Sequence, residues 1–529
     1  MSTNTWNRFT DSILEIKHIK IPIQKRFFLN FIEDDETNIQ KQKILQELLL
    51  KGYLEDDPRL LQFRNNLKIL VKSQSLNYEE FKYCIENHIC ILKQIFRSES
   101  IIPDFHTFTT HIQSIYDQSL LNTGGKNTDY IPQLDKVNPE QYGVSICTID
   151  GQRHNIGNSS TYFSVQSCCK PINYAFALET KGEEYVHTYV GKEPSGQSFN
   201  ELLLNKQGLP HNPLINSGAI MTTSLIKPEL EHSERFETLM NLWSDLSGNL
   251  YKIGFNNSIY LSEKNTADRN FALAHFMHET NENKKIGFPI NTNLHETLDL
   301  YFQSCSIEIN TEILSIVAAT LANGGINPFT GKVIFSPETV KNVLSIMLTC
   351  GMYDYSGEFA FKIGIPAKSG VAGGVMIVIP NVMGIATWSP RLDKIGNSVR
   401  GIEFCKLFGN KFNFHIFDNL YDSTKLNPII SPYQSNSSNQ FYEICLASQQ
   451  GDLEYLKILF NKQADFHQCD YDGRTALHLA VSEKHIHVTK YLINIIKMNI
   501  HKKDRWNNSP YEEALKTENQ ELINLFPSL

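Results

Sequence analysis

The chain has 529 residues, 41% of them hydrophobic, and a formal net charge of −8. That length suits about two to four packed domains, and the acidic balance leaves no basic footprint, which excludes nucleic acid as the main partner. Ten cysteines are scattered without C-x-x-C spacing or a matched Cys/His cluster, and no apolar run approaches the roughly 18 residues of a membrane span. Reduced thiols, no zinc site, no membrane association and an intracellular compartment are therefore expected.

Residues 1–118 read as a helical, non-catalytic domain. Ile44-Leu45 with Leu48-Leu49-Leu50, and Phe81, Cys84-Ile85, Ile89, Leu92 and Ile95-Phe96, carry apolar residues at helical spacing with charges between them. The acidic run Glu33-Asp34-Asp35-Glu36 lacks the alternating oxygen ligands, central glycine and terminal glutamate of a calcium loop, and reads as a solvated turn.

Residues 119–415 read as a catalytic domain with mixed strand and helix signals. Its key feature is Gln166-Ser167-Cys168-Cys169-Lys170-Pro171, followed by the apolar helix residues Ile172, Tyr174, Ala175, Phe176 and Leu178. Positions i and i+3 share a helix face, so Lys170 can reach Ser167 without help from the rest of the fold. A serine hydroxyl attacks a carbonyl only when a neighbour takes its proton. A lysine does this only if burial or a nearby cation lowers its pKa by about 3 units. Cys168 and Cys169 read as small buried residues rather than nucleophiles.

Far downstream, Lys368-Ser369-Gly370 opens the glycine-rich approach Val371-Ala372-Gly373-Gly374 to an apolar strand, where backbone can come close to a ligand. An early S-x-x-K with a late K-[ST]-G resembles the serine β-lactamases and penicillin-binding proteins, which implies their α/β fold and acyl transfer through a serine ester.

Between these motifs lie Val190–Gly196, Pro210–Ile220, Ser262-Glu263, Asp268-Arg269-Asn270, Tyr301–Ser306, Ala322–Gly325 and Cys350–Asp354, with Asp129–Leu134 upstream. The series closely resembles the glutaminases, in particular the kidney/liver-type animal form with C-terminal ankyrin repeats. That resemblance implies hydrolysis of L-glutamine to L-glutamate and ammonia. It makes Ser167 the nucleophile and Lys170 its activator, with the amides of Ser167 and Val371 as the oxyanion hole. Tyr130, Gln166, Asn216, Glu263, Asn270, Tyr301 and Tyr353 match substrate-contacting positions. Glu263 suits the substrate ammonium, and the Asn and Tyr side chains can donate to its oxygens without adding charge. Tyr353 or Tyr301 can relay a proton to the departing ammonia.

The resemblance further implies an EF-hand-like character for the N-terminal region, no metal or organic cofactor, inorganic phosphate as an activator, and a homodimer that becomes a homotetramer. In the loop Gly196–Asn205, the kidney-type relatives carry Lys where this chain has Glu201 and Phe where it has Leu203. Weaker phosphate activation is expected from those two changes. Animal relatives are mitochondrial, but Met1–Phe28 mixes basic residues with Asp11 and Glu15, so a cytoplasmic location is expected, with the mitochondrion as the alternative. Two other readings stay open: a β-lactam or other amide hydrolase, and an ankyrin scaffold with an inactive enzyme domain.

Residues 416–440, with the polar stretch Asn427–Asn439, read as a linker. Residues 441–529 then show a repeat: Asp470–Ala480 returns as Asp504–Ala514, and Thr475-Ala-Leu-His-Leu-Ala480 resembles the ankyrin T-P-L-H-x-A signature. Two to three such repeats bury little core alone and are expected to dock on the catalytic domain or a partner subunit.

Overall fold

The computed structural model describes residues 22–31, 38–69, 75–97, 99–196, 200–284, 287–418, 424–430, 440–462 and 464–526. The acidic run Glu33–Glu36, most of the polar linker stretch and most of the N-terminal segment lie outside them. The chain divides into two compact units, one drawn from Met1–Leu49, Arg59–Ser100 and Ile430–Leu529, the other from Leu50–Pro58 and Ile101–Ile429.

In the second unit a five-stranded sheet runs in the order Arg153–Gly157, Gly143–Thr148, Met383–Trp388, Gly374–Ile379, Ala367–Ser369, with every pair antiparallel. The three central strands are buried along their whole length, as an apolar sheet covered on both faces requires. One face receives the helix Thr311–Ala322, which comes so close that a Cβ on Gly384 would meet Ala319 N at 2.2 Å. Only glycine permits that approach. The other face packs against Val399–Lys411 and Phe105–Leu120. This is the serine β-lactamase-like fold expected from the motifs.

Phe105–Leu120 corrects the reading of 1–118 as one helical domain. Its buried face, Phe105, Phe108, Ile112 and Ile115, shares a core with Val144, Ile146 and Ile385 of the catalytic sheet. Helical spacing reveals an apolar face but not which surface will cover it. Segment Leu50–Pro58 likewise joins the catalytic unit: Asp56 pairs with buried Arg153 at 2.5 Å, and Arg153 N–H donates to Gly52 O at 2.7 Å. At the far end Leu426 N–H donates to Lys411 O at 2.9 Å, so the start of the expected linker still belongs to this unit.

A second, three-stranded antiparallel sheet, Phe163–Ser164, Ile307–Ile309 and Gly254–Phe255, delivers the chain to the serine turn. Between the two sheet systems lies the largest core, where Trp243, Tyr301, Phe302 and the helix Cys169–Lys181 are packed.

In the first unit, short helices flank a two-stranded pairing of Ile39–Gln40 with Ser75–Leu76. Helix pairs then follow at Gln440–Gln450 and Leu453–Asn461, Ala476–Ser482 and Ile486–Asn494, and Pro510–Lys516 and Gln520–Ile523. The Thr475-x-x-His478 motif is a capping box, with Thr475 N–H donating to His478 Nδ1 at 3.0 Å. His478 Nε2 reaches Asn508 O at 3.2 Å, tying one repeat to the next. The first repeat packs against the N-terminal helices of the same unit: Asn461 Nδ2 donates to Phe96 O at 2.8 Å, and Arg26 Nη1 to Phe460 O at 3.4 Å.

Candidate active site

Ser167 sits in a 3₁₀ turn, Gln166–Cys168, between the short strand Phe163–Ser164 and the helix Cys169–Lys181. The turn is anchored on both sides. Val165 N–H donates to Ile307 O at 2.8 Å, and the Cys168 thiol contacts Lys368 O at 3.3 Å and Gly374 O at 3.7 Å. Gln166 has φ +46°, a left-handed conformation that costs energy for a side-chain-bearing residue and persists only where the surroundings impose it. Its side chain accordingly points inward, with Nε2 donating to Glu263 Oε2 at 3.3 Å.

Lys170 is 1% exposed, in the first turn of its helix, and its Nζ donates to Asn216 Oδ1 at 2.6 Å. Burial holds its ammonium below the ordinary lysine range. Asn216 begins the helix Asn216–Ser224; its Nδ2 donates to Asn270 Oδ1 at 2.9 Å, and its Oδ1 also accepts from Tyr301 O–H at 3.4 Å. Three helices therefore contribute to one amide.

Glu263 lies on the helix Asn257–Asn265, 6% exposed. Burial pushes its carboxyl up to about 7, against the opposing pulls of Gln166 and Lys170. An ammonium brought to it would restore its charge.

Tyr353 is the second site residue with left-handed backbone, at φ +54°. It packs with Val371 and Leu392, and its phenol interacts with the Ser167 side chain, while burial raises it above the ordinary tyrosine range. Asn397 Nδ2 donates to Met352 O at 3.3 Å and so braces the turn. Tyr130, 47% exposed, lies within electrostatic reach of Glu263 and Tyr353, and neighbouring Ile131 packs with Ile259 and Ala372.

Val371 stands in the turn after Ala367–Ser369. Gly373, at φ +94°, lets this turn fold so tightly that a Cβ there would meet Ser389 O at 2.1 Å. The next carbonyl, Ala372 O, accepts from Trp388 Nε1 at 2.9 Å, and the Trp388 ring stacks on Phe163 at 5.1 Å.

The structure thus gathers Tyr130, Gln166, Ser167, Lys170, Asn216, Glu263, Asn270, Tyr301, Tyr353 and Val371 in one region. Two neighbours were not among the site residues named from the sequence. Lys368 is fully buried; its Nζ lies 4.5 Å from the Tyr353 ring centroid and donates to Ser369 O at 2.6 Å. Burial, and then the charge of Lys170, push it down to about 7. Its membership of the K-S-G motif was the available signal. Trp388 carried none, because in an apolar strand run its N–H is invisible to periodicity. Beside Tyr353 a cavity of about 280 Å³ extends along Ser195, Gly196, Leu214 and Cys350.

Among the described residues no group of three His, Cys, Asp or Glu side chains is assembled for a metal, and no helix is long and apolar enough to cross a membrane.

Comparison with known proteins places this geometry. The glutaminase family profile matches residues 125–417, an ankyrin-repeat profile of three copies matches 444–526, and an EF-hand domain profile matches 23–103. The mitochondrial liver isoform of glutaminase from Mus musculus is 43% identical over 499 residues, covering 93% of this chain and 82% of its own length. A glutaminase from Nostoc sp. is 45% identical over 291 residues, 55% of this chain and 84% of its own. Among solved structures, Mglu in its glutamate form is 35% identical with a TM-score of 0.54, covering 59% of this chain and 69% of that one. Mglu in its native form is 34% identical with a TM-score of 0.55, covering 61% and 75%.

Proposed function

Because this chain belongs to the glutaminase family, we propose that Ser167 attacks the side-chain amide of L-glutamine with Lys170 as its base. The protein is an amide hydrolase that converts L-glutamine to L-glutamate and ammonia. The observation that carries the residue assignment is that Lys170, buried beside the serine turn, is hydrogen-bonded to the neutral Asn216 amide at 2.6 Å. A neutral partner lets the lysine lose its proton; a carboxylate there would hold it.

In this reading the substrate ammonium lies against Glu263, with Gln166 fixing the carboxylate. Asn216, Asn270, Tyr301 and Tyr130 orient the remaining polar groups. Neutral Lys170 takes the Ser167 proton as Oγ bonds to the amide carbon. The negative charge that develops on the amide oxygen is met by the N–H groups of Ser167 and Val371. Collapse of the adduct breaks the C–N bond, and ammonia leaves with a proton supplied through the Tyr353 hydroxyl. Tyr353 suits this relay better than Tyr301, because its phenol faces Ser167 whereas Tyr301 donates to Asn216. With Lys170 neutral again once its proton has passed through Tyr353, water attacks the glutamyl ester and gives Lys170 a proton, which Lys170 returns to Ser167 Oγ as the ester C–O bond breaks and L-glutamate is released.

Ammonia release from L-glutamine, with L-asparagine as control, tests the reading. Ser167→Ala should cut turnover roughly 10³-fold or more while keeping substrate binding. Lys170→Arg should be as damaging as Lys170→Ala, since guanidinium keeps its proton. An active arginine variant would overturn the base assignment.

We further propose a homodimer that becomes a homotetramer, with inorganic phosphate as an activator. Glu201 and Leu203 are exposed, as residues at a subunit contact would be in a single chain. Phosphate titration of Glu201→Lys against the parent tests whether that loop sets the response. The names of the mouse and rat relatives support the mitochondrial alternative over a cytoplasmic location.

A further inference from the structure

The Sγ atoms of Cys169 and Cys305 lie 4.0 Å apart; both are free thiols, and neither residue is more than 1% exposed. Each belongs to an element that the proposed mechanism uses, yet neither sulfur has a part in it. Cys169 opens the helix Cys169–Lys181 and immediately precedes Lys170. Cys305 closes the helix Leu294–Cys305, one turn beyond Tyr301. Lys170 Nζ and Tyr301 O–H converge on the same atom, Asn216 Oδ1, at 2.6 and 3.4 Å. Cys168, next in sequence, directs its thiol elsewhere, to the carbonyls of Lys368 and Gly374.

We propose that Cys169 and Cys305 form a reversible oxidation site whose disulfide displaces Lys170 and Tyr301 and stops turnover. The effect on turnover rests on the role given to Lys170 above; formation of the bond does not.

The oxidant class is a peroxide. The Cys169 sulfur attacks one peroxide oxygen, the O–O bond breaks, and water leaves with the thiol proton, giving a sulfenic acid. The Cys305 sulfur then attacks the Cys169 sulfur, the S–O bond breaks, and a second water carries off the remaining proton. Two thiols lose two electrons and hydrogen peroxide gains them. The exchanged order gives the same disulfide, since either thiol can donate in the contact between them.

A disulfide needs its sulfurs about 2.05 Å apart, so the two must close by roughly 2 Å. Both helix ends are embedded in the main core, whose packing resists rigid displacement. The movement therefore falls on the local backbone and side chains, of which Lys170 is the nearest with a chemical role.

The test exposes the full chain to hydrogen peroxide, alkylates the remaining thiols after denaturation, and follows cross-linked peptides by mass spectrometry alongside glutamine turnover. The expected result is a Cys169–Cys305 cross-link that forms as turnover falls by roughly tenfold or more, both reversed by dithiothreitol. Cys169→Ala and Cys305→Ala should retain their own turnover through the same exposure. Loss of activity without the cross-link, a cross-link with unchanged turnover, or equal inactivation of the alanine variants would each overturn the proposal. If an alanine variant fails to fold, the cross-link and its reversal in the parent decide alone. A parent with no turnover of glutamine would refute the mechanism instead, while the cross-link would still be read by mass.

Discussion

The side-chain nitrogen of Lys170 is 2.6 Å from the amide oxygen of Asn216, a neutral partner in a site whose burial lowers the lysine's pKa. Asn216→Asp changes one atom and places a carboxylate against the lysine. An opposite charge at that range raises a lysine pKa by about 1–3 units. Activity at neutral pH should fall sharply, and the rising limb of the pH–rate profile should move upward. If substrate affinity falls while the pH profile stays in place, Asn216 acts on the substrate rather than on Lys170.

Glu263 gives a prediction about protons rather than rates. With its carboxyl at about 7 in the empty site, it is mostly protonated at pH 6 and must ionise to meet an ammonium. Binding of L-glutamine to the Ser167→Ala variant at pH 6 should release close to one proton, about 0.9 by the Henderson relation. The release should fade above pH 8 and disappear in Glu263→Gln. Calorimetry in buffers of different ionisation enthalpy measures it directly. Binding without proton release at pH 6 would mean that the ammonium is recognised elsewhere.

Lys368 should leave a signature in stability. Its folded pKa of about 7 lies below the ordinary lysine value of 10.5, so between those values the unfolded chain binds more protons than the native one. Stability must therefore rise as pH increases through that window. Glu263 acts oppositely below it: its carboxyl is raised from 4.5 to about 7, so stability falls as pH rises through that lower range. Together the two groups place a minimum near neutral pH on the denaturation profile of the substrate-free protein. Lys368→Met should reduce the rise on the alkaline side, leaving the part that Lys170 contributes, and keep the acidic side in place.

Trp388 separates positioning from binding. Trp388→Phe keeps a ring against Phe163 but removes the N–H that holds Ala372 O. The lost hydrogen bond is worth about 0.5–1.5 kcal/mol, and a buried carbonyl left without its donor costs about 1–3 kcal/mol of stability. Because Val371 precedes Ala372, the turnover number should fall by about threefold to tenfold with KM little changed. A rise in KM alone would place the tryptophan's influence on the substrate pocket.

The chemistry was legible in the sequence where it is local. Ser167 and Lys170 are three residues apart where a 3₁₀ turn meets a helix, so spacing alone predicts their proximity, and Thr475 with His478 carries its own capping geometry. Residues that meet through the fold could be named only by resemblance: nothing in the letters around Asn216, Asn270 and Tyr301 tells that their side chains share a hydrogen-bond chain. Backbone strain was invisible, because Gln166 and Tyr353 adopt positive φ without being glycine. The limits of the catalytic unit were misread for a physical reason. The apolar face of Phe105–Leu120 looks the same whether it covers another helix or the catalytic sheet, and Asp56 reveals its partner Arg153 only when the chain is folded.

The origin of the reacting groups constrains how such an enzyme can be controlled. Ser167 and Lys170 lie on one continuous stretch of chain, a 3₁₀ turn running directly into a helix, so no hinge separates the proposed attacker from its proposed base. Tyr353 and Val371 arrive from segments about two hundred positions away, and their alignment with the serine is a property of tertiary packing. A regulator that works by conformation has leverage there. On the proposed roles, it would idle the enzyme by withdrawing Tyr353 and Val371 while Ser167 and Lys170 stay in place, so the silenced form should still show the lysine titrating as it does in the working one.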